Sequence, residues 1–307
     1  MKCVVLGGGG FIGSHLCESL LSEGHEVRAF DQSEARFLAE VKLAGADVYT
    51  GNFLDQADLQ RVLVDAEVVY HLISTTVPQT SNEAPAQDVE TNILGTLRLL
   101  ETARDANVKK VVYASSGGTV YGIPKELPIK EGHPTEPISS YGITKLAVEK
   151  YLHLFNTLYG LDYCILRIAN AYGERQPVTG IQGVIGAFLD RAIQGAEITV
   201  LGDGMVMRDY TYIGDIVRAF VKAGTHTGEH KVFNIGTGQG HSLNDTIEII
   251  EQITRQTLNT KYLPNRVFDI PVNVLDISRA RAHLGWQPMV GFLEGISRTY
   301  EWMLKNR

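Results

Sequence analysis

The sequence predicts an α/β protein built on a Rossmann-like, doubly wound parallel sheet, with a smaller C-terminal α/β lobe. Segments typical of buried strands alternate with helical segments from the N-terminus to about residue 172. A glycine-rich turn follows the first strand, in the strand-turn-helix context of this fold class. Beyond residue 172 the alternation breaks, and 307 residues suffice for one large α/β unit with a second lobe.

The alternation starts at once, because CVVLG predicts a strand and FIGSHLCESLLSEG predicts a helix that ends at Gly24. The further predicted strands are EVRAFD, ADVYTG, EVVYHL, KKVVYASS and LDYCILRIAN. The further predicted helices are EARFLAEVKLAG, DQADLQRVLVD, DVETNILGTLRLLETARDANV and SYGITKLAVEKYLHLFNTLYG. Strands that alternate with helices across short joints indicate a parallel sheet.

The domain organisation follows from the same rhythm. We expect residues 1–172 to form the sheet domain, with a return of the chain to it at about 209–237. We expect residues 173–208 and 238–307 to form the smaller lobe, where glycines and prolines separate shorter elements. Such a lobe would cover the carboxyl edge of the sheet, which is where these folds bind ligands.

Composition excludes several classes of function. The net charge is −7 and no block rich in Lys or Arg occurs, so we expect no nucleic-acid partner. No apolar run is long enough to span a bilayer, and the N-terminus enters a strand without a signal-peptide pattern. Cys3, Cys17 and Cys164 show neither CxxC nor Cys/His spacing, which predicts buried thiols without a metal in a cytoplasmic protein.

A dinucleotide site is predicted at the first turn. Gly7, Gly10 and Gly13 have the spacing G-x-x-G-x-x-G, which leaves room for a pyrophosphate at the helix N-terminus. Asp31 ends the second predicted strand, where a carboxylate can accept hydrogen bonds from both hydroxyls of an adenosine ribose. Because that carboxylate would repel a 2′-phosphate, the pattern favours NAD over NADP.

A proton-transfer pair is predicted in SSYGITKLAVEKYL. Tyr141 and Lys145 are four residues apart and therefore share one face of a helix. A neighbouring ammonium favours the phenolate form of a tyrosine, which then can act as a base. A Tyr-x3-Lys pair alone is also compatible with an ordinary amphipathic helix.

Taken together, the motifs resemble those of the extended short-chain dehydrogenase/reductase family, in its nucleotide-sugar epimerase/dehydratase branch. The resemblance runs nearly end to end. It is carried by GGGGFIGSHL, HLIS, TNILGTLRLLE, LRIANAYGERQ, GDGMVMRDYTYIGD, FNIGTGQGHSL and RVFDIPVNVLDISRARAHLGWQP. Two positions depart from the pattern, because Leu6 replaces a usual Thr and Asn52 replaces a usual adenine-binding Asp.

The resemblance implies a set of NAD-binding residues in the sheet domain. Asn52 is assigned through its amide, and Tyr141 and Lys145 serve both cofactor and catalysis. The implied set is Gly7, Gly10, Phe11, Ile12, Gly13, Asp31, Asn52, Phe53, Leu72, Ser74, Asn92, Ser115, Tyr141 and Lys145.

The stretch ASSGGTVYG decides which reaction the resemblance implies. The position that offers a catalytic Ser or Thr hydroxyl in the family is Gly117, so Ser116 or Thr119 is expected to supply that hydroxyl. Dehydratases of the family carry an acidic pair here and decarboxylases carry a Glu, whereas this chain has Gly118 and Thr119. Neither residue exchanges a proton near neutral pH. The implied reaction is 4-epimerisation of a UDP-hexose through a transient 4-keto sugar.

The resemblance also assigns the nucleotide-sugar site. Arg208 and Arg266 fall in motifs that contact the diphosphate, for which guanidinium groups are well shaped. Asn170 is expected near the diphosphate and Asp269 near the nucleoside ribose. Asn273 lies at the position of a gate beside the sugar C2 substituent. A residue this small predicts that UDP-N-acetylglucosamine and UDP-N-acetylgalactosamine are accepted as well as UDP-glucose and UDP-galactose.

Two questions stay open at the level of sequence. The alternatives to a 4-epimerase are a related dehydratase, decarboxylase or ketosugar reductase, and a non-catalytic NAD-sensing protein. The helices at about 88–106 and 141–160 carry broad apolar faces. The resemblance implies that they form a four-helix contact in a homodimer.

Overall fold

The computed structural model describes residues 1–76, 78–178, 183–264 and 270–306. The strands are β1 (Lys2–Leu6), β2 (Glu26–Asp31), β3 (Asp47–Thr50), β4 (Val68–His71), β5 (Lys110–Ser116), β6 (Asp162–Ile168), β7 (Asn170–Tyr172), β8 (Ile198–Leu201), β9 (Met207–Arg208), β10 (Tyr210–Tyr212), β11 (Val232–Ile235), β12 (His241–Ser242), β13 (Thr260–Leu263) and β14 (Val272–Asn273). The α-helices are α1 (Phe11–Ser22), α2 (Leu38–Leu43), α3 (Gln56–Leu63), α4 (Pro78–Ser81), α5 (Pro85–Asp88), α6 (Gly95–Asp105), α7 (Ser140–Tyr159), α8 (Val184–Gln194), α9 (Ile213–Thr225), α10 (Leu243–Thr254) and α11 (Phe292–Lys305). Two π-helical turns cover Val89–Leu94 and Ala280–Leu284.

A seven-stranded sheet in the order β3-β2-β1-β4-β5-β6-β11 forms the centre of the molecule. All of its neighbouring strands pair in parallel, which confirms the predicted fold class. The chain order reverses between β1 and β4, so a crevice opens there at the carboxyl ends of the strands. The carboxyl ends of these two strands, Leu6 and His71, are in register.

Both faces of the sheet are buried. Along β1, Val4 and Leu6 pack on one face, whereas Cys3 and Val5 pack on the other. This alternation is expected of a strand whose successive side chains point to opposite sides. Helices α1 and α9 pack together on one face, and α3, α6 and α7 pack on the other. All three cysteines are buried thiols, as predicted.

The catalytic-helix prediction is confirmed in its bounds, while two other helices differ from expectation. Helix α7 starts after Ser139, whose hydroxyl accepts the N–H of Gly142, and ends at Gly160 with φ +72°. The predicted continuous helix over DVETNILGTLRLLETARDANV is divided into α5, a π-helical turn and α6. The EARFLAEVKLAG segment is helical only over α2. These differences reflect tertiary contacts that sequence periodicity does not record.

The remaining strands form small sheets beyond the central one. Strand β7 pairs with β10, β8 pairs with β13, and β9 lies between β12 and β14. In the last of these sheets, Asn273 of β14 is in register with Arg208 of β9. These pairings bring the C-terminal segments to the carboxyl edge of β5 and β6. No helix in the described ranges is both long enough and apolar enough to cross a membrane.

Candidate active site

The glycine turn lies at the switch point between β1 and β4. Gly7 has φ +89°, a conformation that glycine adopts without strain. A Cβ added at Gly13 would lie 2.0 Å from the carbonyl oxygen of Gly7, so only glycine permits this close packing of turn and helix. Gly10 caps α1 without a side-chain hydrogen bond. The N–H groups at the start of α1 therefore remain available to an anion.

Asp31 reaches this turn from the end of β2. Its Oδ2 accepts the N–H of Gly9 at 3.0 Å, and its Oδ1 accepts the N–H of Gln32 at 2.8 Å. Burial raises the pKa of the Asp31 carboxyl, and the two main-chain hydrogen bonds act in the opposite direction. A carboxylate held beside an uncapped helix start suits the adenosine end of a dinucleotide, so these residues fit NAD.

Three other predicted cofactor residues, Asn52, Phe53 and Leu72, follow β3 and β4 in the chain. Leu72 borders the turn, because a Cβ at Gly7 would lie 3.4 Å from the Leu72 Cβ. The ring of Phe53 faces the core and stacks on His71 with centroids 5.2 Å apart, so its main chain is the part left to meet a ligand. The Oδ1 of Asn52 accepts the N–H of Leu54 at 3.0 Å.

Tyr141 and Lys145 stand on one face of α7, beside the ends of β4 and β5. The Lys145 Nζ donates to the carbonyl oxygen of Ala114 at 2.9 Å. It lies 5.4 Å from the ring centroid of Tyr141 and 4.9 Å from that of Tyr113. The ammonium therefore sits within cation–π range of the phenol that it is expected to activate.

The ionisation of this pair is shifted by its surroundings. Burial raises the pKa of Tyr141 to about 12; the Asp88 carboxylate adds to this rise, and a hydrogen bond with Ser74 opposes it. Burial lowers the pKa of Lys145 to about 8, while the carboxylates of Asp88 and Glu149 act to raise it. Asp88 and Glu149 were not among the predicted site residues. In the sequence, Glu149 could have been found from its i, i+4 spacing to Lys145.

The ASSGGTVYG loop divides its hydroxyls between core and crevice. Ser115 turns inward, where its Oγ donates to Oε1 of Glu149 at 2.5 Å. A Cβ on Gly118 would lie 3.8 Å from the Ser116 Oγ and 3.6 Å from the Asn170 Oδ1, so these two polar groups flank Gly118. The Oγ1 of Thr119 is buried and finds no hydrogen-bond partner within the described ranges. Ser116 and Thr119 thus both remain candidates for the family hydroxyl.

Glu149 also belongs to a buried ion pair that sequence reasoning missed. Oε2 of Glu149 lies 2.6 Å from Nη2 of Arg167, and Nε of Arg167 donates to Oε1 at 3.0 Å. The guanidinium packs 4.9 Å from the ring centroid of Tyr121. This pair connects α7 with β6 and fixes the helix that carries Tyr141.

Asn273 reaches the ASSGGTVYG loop from the C-terminal segments. Its side chain is 1% exposed, and its Nδ2 donates to the carbonyl oxygen of Gly117 at 3.2 Å. Among the residues with a described position, none pairs with its Oδ1. The neighbouring Arg208 donates to the carbonyl oxygen of Ile270 at 2.6 Å. The other two predicted substrate residues, Arg266 and Asp269, lie outside the described residues.

The chain resembles known proteins over nearly its whole length. The sequence model of the NAD dependent epimerase/dehydratase family matches residues 3–236. A crystal structure of UDP-glucose 4-epimerase with UDP-glucose from Thermotoga maritima is 38% identical and covers 99% of each chain, with a TM-score of 0.94. The Thermus thermophilus UDP-glucose 4-epimerase complex with NAD is 34% identical and covers 100% of each chain, with a TM-score of 0.93.

A third similar structure is named for an N-acetylated sugar. It is a UDP-N-acetylglucosamine 4-epimerase from Methanobrevibacter ruminantium in complex with UDP-N-acetylmuramic acid. It is 29% identical, covers 100% of this chain and 99% of its own, and has a TM-score of 0.93.

Proposed function

Because the chain belongs to the NAD dependent epimerase/dehydratase family, we propose that it catalyses NAD-dependent 4-epimerisation of a UDP-hexose. One observation supports this reaction over the others of the family. Tyr141 and Lys145 stand beside a loop that has Gly118 and Thr119 instead of the acids that elimination needs. The same loop gives a dehydratase or decarboxylase no side chain for its extra proton transfer.

The residues of this chain divide the work between binding and proton transfer. NAD, when bound, supplies a reversible hydride acceptor. The start of α1 and the Asp31 carboxylate would hold its pyrophosphate and ribose. The Tyr141 phenolate would take the proton from the sugar 4-hydroxyl. It would return the proton after the 4-keto sugar has rotated in the site. The Lys145 ammonium favours that phenolate by its charge.

The test of the function is Tyr141→Phe, with Tyr151→Phe on the same helix as control. Loss of a positioned acid/base is expected to lower kcat by ~10²–10⁴-fold. The amount of NAD that co-purifies is expected to stay unchanged. Product identification by NMR on a panel of UDP-hexoses, without added cofactor, also separates an epimerase from a reductase and from a silent NAD-binding protein. Turnover of Tyr141→Phe at the wild-type rate would refute the assignment.

The family hydroxyl is proposed to come from Ser116 or Thr119. Two variants of similar shape distinguish them, since Ser116→Ala and Thr119→Val each remove one hydroxyl. The variant that loses kcat identifies the donor. If neither loses more than about 10-fold, neither hydroxyl reaches the sugar, since a positioned proton-transfer group contributes at least about 10².

We further propose that the site accepts N-acetylated UDP-hexoses. The support is Asn273, whose small side chain presents a buried carbonyl oxygen beside Gly117. That oxygen could accept the N–H of an acetamido group. Asn273→Tyr should lower kcat/KM for UDP-N-acetylglucosamine more than for UDP-glucose. The difference should be well over the ~10-fold discrimination that one methylene group provides.

Because Asn273 is buried, a second variant guards against misfolding of the bulky one. Asn273→Leu keeps the branched shape and removes the amide oxygen, so it should reduce the acetylated-to-plain ratio more mildly. An unchanged ratio in both variants, or no wild-type turnover of either acetylated sugar, would refute the gate.

The UDP moiety is proposed to be held by the two arginines of the C-terminal motifs, with Asn170 also at the diphosphate and Asp269 at the ribose. If Arg208 and Arg266 meet the diphosphate, Arg208→Ala and Arg266→Ala should weaken UDP binding and leave uridine binding unchanged. Calorimetry with both ligands checks this. Equal weakening of UDP and uridine would point to a folding defect instead.

A homodimer through the helical segment at about 88–106, which holds the π-helical turn and α6, and through α7 is also proposed. The support is a set of exposed apolar side chains on the two helical segments, namely Val89, Leu94, Ile143, Leu154 and Leu158. Four such helices from two copies would bury these side chains in a closed C₂ contact.

Light scattering tests the assembly. Leu158→Glu on α7 should convert a dimeric mass into a monomeric one, whereas Leu43→Glu, on the exposed α2, should not. A monomeric wild type at micromolar concentration would exclude the dimer. The two-lobe division at 172, 208 and 237 and a cytoplasmic location are further proposals, the latter supported by the three buried free thiols.

A further inference from the structure

A buried carboxylate that none of the family motifs singles out lies beside the catalytic pair. Asp88, the last residue of α5, is fully buried. Thr76 and Asn92 donate to its Oδ1, at 2.5 Å and 2.7 Å. Ser140 and Thr144 lie opposite its Oδ2, at 2.7 Å and 3.2 Å. Three hydroxyls and one amide that can donate hydrogen bonds thus surround the carboxyl group, and the Thr144 hydroxyl also lies 3.0 Å from the carbonyl oxygen of Tyr141.

These four donors come from three segments that enclose Tyr141. Thr76 belongs to the loop after β4, Asn92 to the π-helical turn, and Ser140 and Thr144 to the first turns of α7. Ser140 immediately precedes Tyr141, and Thr144 immediately precedes Lys145. Asp88 therefore ties the loop that faces the substrate crevice to the two turns that carry the catalytic pair.

A second set of bonds fastens the end of α4 to the start of α7. The N–H of Tyr141 donates to the Oγ of Ser81 at 3.0 Å. The N–H of Ser140 donates to the Oδ1 of Asn82 at 2.9 Å. Ser81 and Asn82 thus satisfy main-chain donors that a helix start leaves free. Asp88 adds the only charge to this otherwise neutral set of partners.

Within the described ranges, Asp88 has no Lys or Arg nitrogen inside ion-pair distance. The Asp88 charge interacts with the Lys145 ammonium, which lies one turn after Tyr141 on α7. Its charge raises the pKa of Lys145 and also that of Tyr141. Among the described residues, the other titratable groups that face the pair are His71 of β4, Tyr113 of β5 and Glu149 of α7.

We propose that Asp88 is a positioning residue of the active site, which locks the substrate-side loop onto α7 and sets the charge balance of the Tyr141–Lys145 pair. It acts through those two residues and does not itself touch the reacting atoms. The catalytic part of this inference rests on the proposed epimerase function, whereas the electrostatic part does not.

The experiment is Asp88→Asn in the NAD-loaded protein. An amide keeps the shape: its oxygen accepts from Asn92, and its NH₂ donates to hydroxyl oxygens that can reverse their roles. Loss of the negative charge should move both apparent pKa values of the pair to lower pH, by about 1 unit. Both limbs of the kcat–pH profile should follow. Asp105→Asn, at an exposed acid on α6, should move neither.

The tyrosine titration is read without turnover, from the ultraviolet phenolate band of each background minus that of its Tyr141→Phe counterpart. An Asp88→Asn protein that retains NAD and titrates as the wild type does would overturn the proposal. A shifted titration in a protein that turns over no UDP-hexose would keep the electrostatic inference and reject the epimerase function.

A second pair of substitutions covers failure of Asp88→Asn to fold. The double variant Ser140→Ala with Thr144→Val keeps the charge and cuts its tie to α7. It should lower kcat at least about 10-fold with KM for the UDP-hexose unchanged and with unshifted pH midpoints. Wild-type kcat in this double variant would overturn the positioning role.

Discussion

The family resemblance assigns the hydroxyl position to Gly117, and the packing around this glycine predicts that a serine cannot simply be restored there. A Cβ at Gly117 would lie 2.5 Å from Cδ1 of Leu275 and 3.1 Å from the carbonyl oxygen of Arg167. The first distance is far below a normal carbon contact. Leu275 is fully buried among Val120, Tyr121, Ile129 and Ala169, so its side chain has no open space to enter. Gly117→Ser should therefore overpack this cluster.

The loss of stability expected at Gly117 can be compared with that at its neighbour Gly118. Extra atoms in a well-packed core typically lower the free energy of unfolding by about 1–3 kcal/mol. At Gly118 the nearest atoms to an added Cβ are 3.6 Å and 3.8 Å away, which is ordinary contact. Neither glycine has a positive φ, so the gain from a stiffer unfolded chain is shared by both variants. Gly117→Ser should be less stable than Gly118→Ser by about 1–3 kcal/mol.

Urea unfolding followed by circular dichroism, at one fixed saturating NAD concentration, measures the difference. NAD must be held constant because a bound ligand adds to apparent stability. A double variant, Gly117→Ser with Leu275→Ala, tests the cause. Removing the clashing side chain should make the pair of substitutions less harmful than the sum of the single ones, by about 0.5–3 kcal/mol. Equal stability of the two serine variants, or strict additivity in the double variant, would refute the reasoning.

Three further outcomes are expected. Gly13→Ala should abolish retention of NAD on gel filtration, because its Cβ would lie 2.0 Å from a carbonyl oxygen, whereas Gly132→Ala, with open space around it, should retain NAD. Glu149→Gln should lower the free energy of unfolding by about 3–5 kcal/mol in a urea titration, since it leaves the buried guanidinium of Arg167 without its counter-charge. Lys145→Met should stop turnover yet raise stability at pH 7 by up to ~3 kcal/mol, because the folded protein holds that lysine at a pKa of about 8 against 10.5 when unfolded. That advantage should shrink as pH rises from 8 to 10.5, where wild-type stability increases, and a constant advantage would count against the shift.

The sequence by itself determined the features that depend on near neighbours in the chain. Strand and helix segments of the sheet domain follow from local periodicity, and the glycine turn is located by its spacing directly after β1. Tyr141 and Lys145 share a face because four residues make about one helical turn. The predicted reaction also depends on a short stretch of sequence, since Gly118 and Thr119 leave no acidic side chain in the loop.

Tertiary structure decided where polar groups point and what they touch. Ser115 was predicted to meet the cofactor, but its hydroxyl is bonded to Glu149 of α7. The predicted helix over DVETNILGTLRLLETARDANV contains a π-helical turn next to Asp88. Asp88 gathers hydrogen-bond donors from three separate segments. Asn273 reaches Gly117 from the far end of the chain.

The physical reason is that burial and hydrogen-bond partnership arise between residues distant in sequence. A pattern of apolar residues tells which face of an element is buried, but not which side chain lies opposite. Gly117 shows what sequence alone does not reveal. A glycine at this position indicates that a hydroxyl is missing, whereas only the packed fold shows that Leu275 fills the space that a side chain would need.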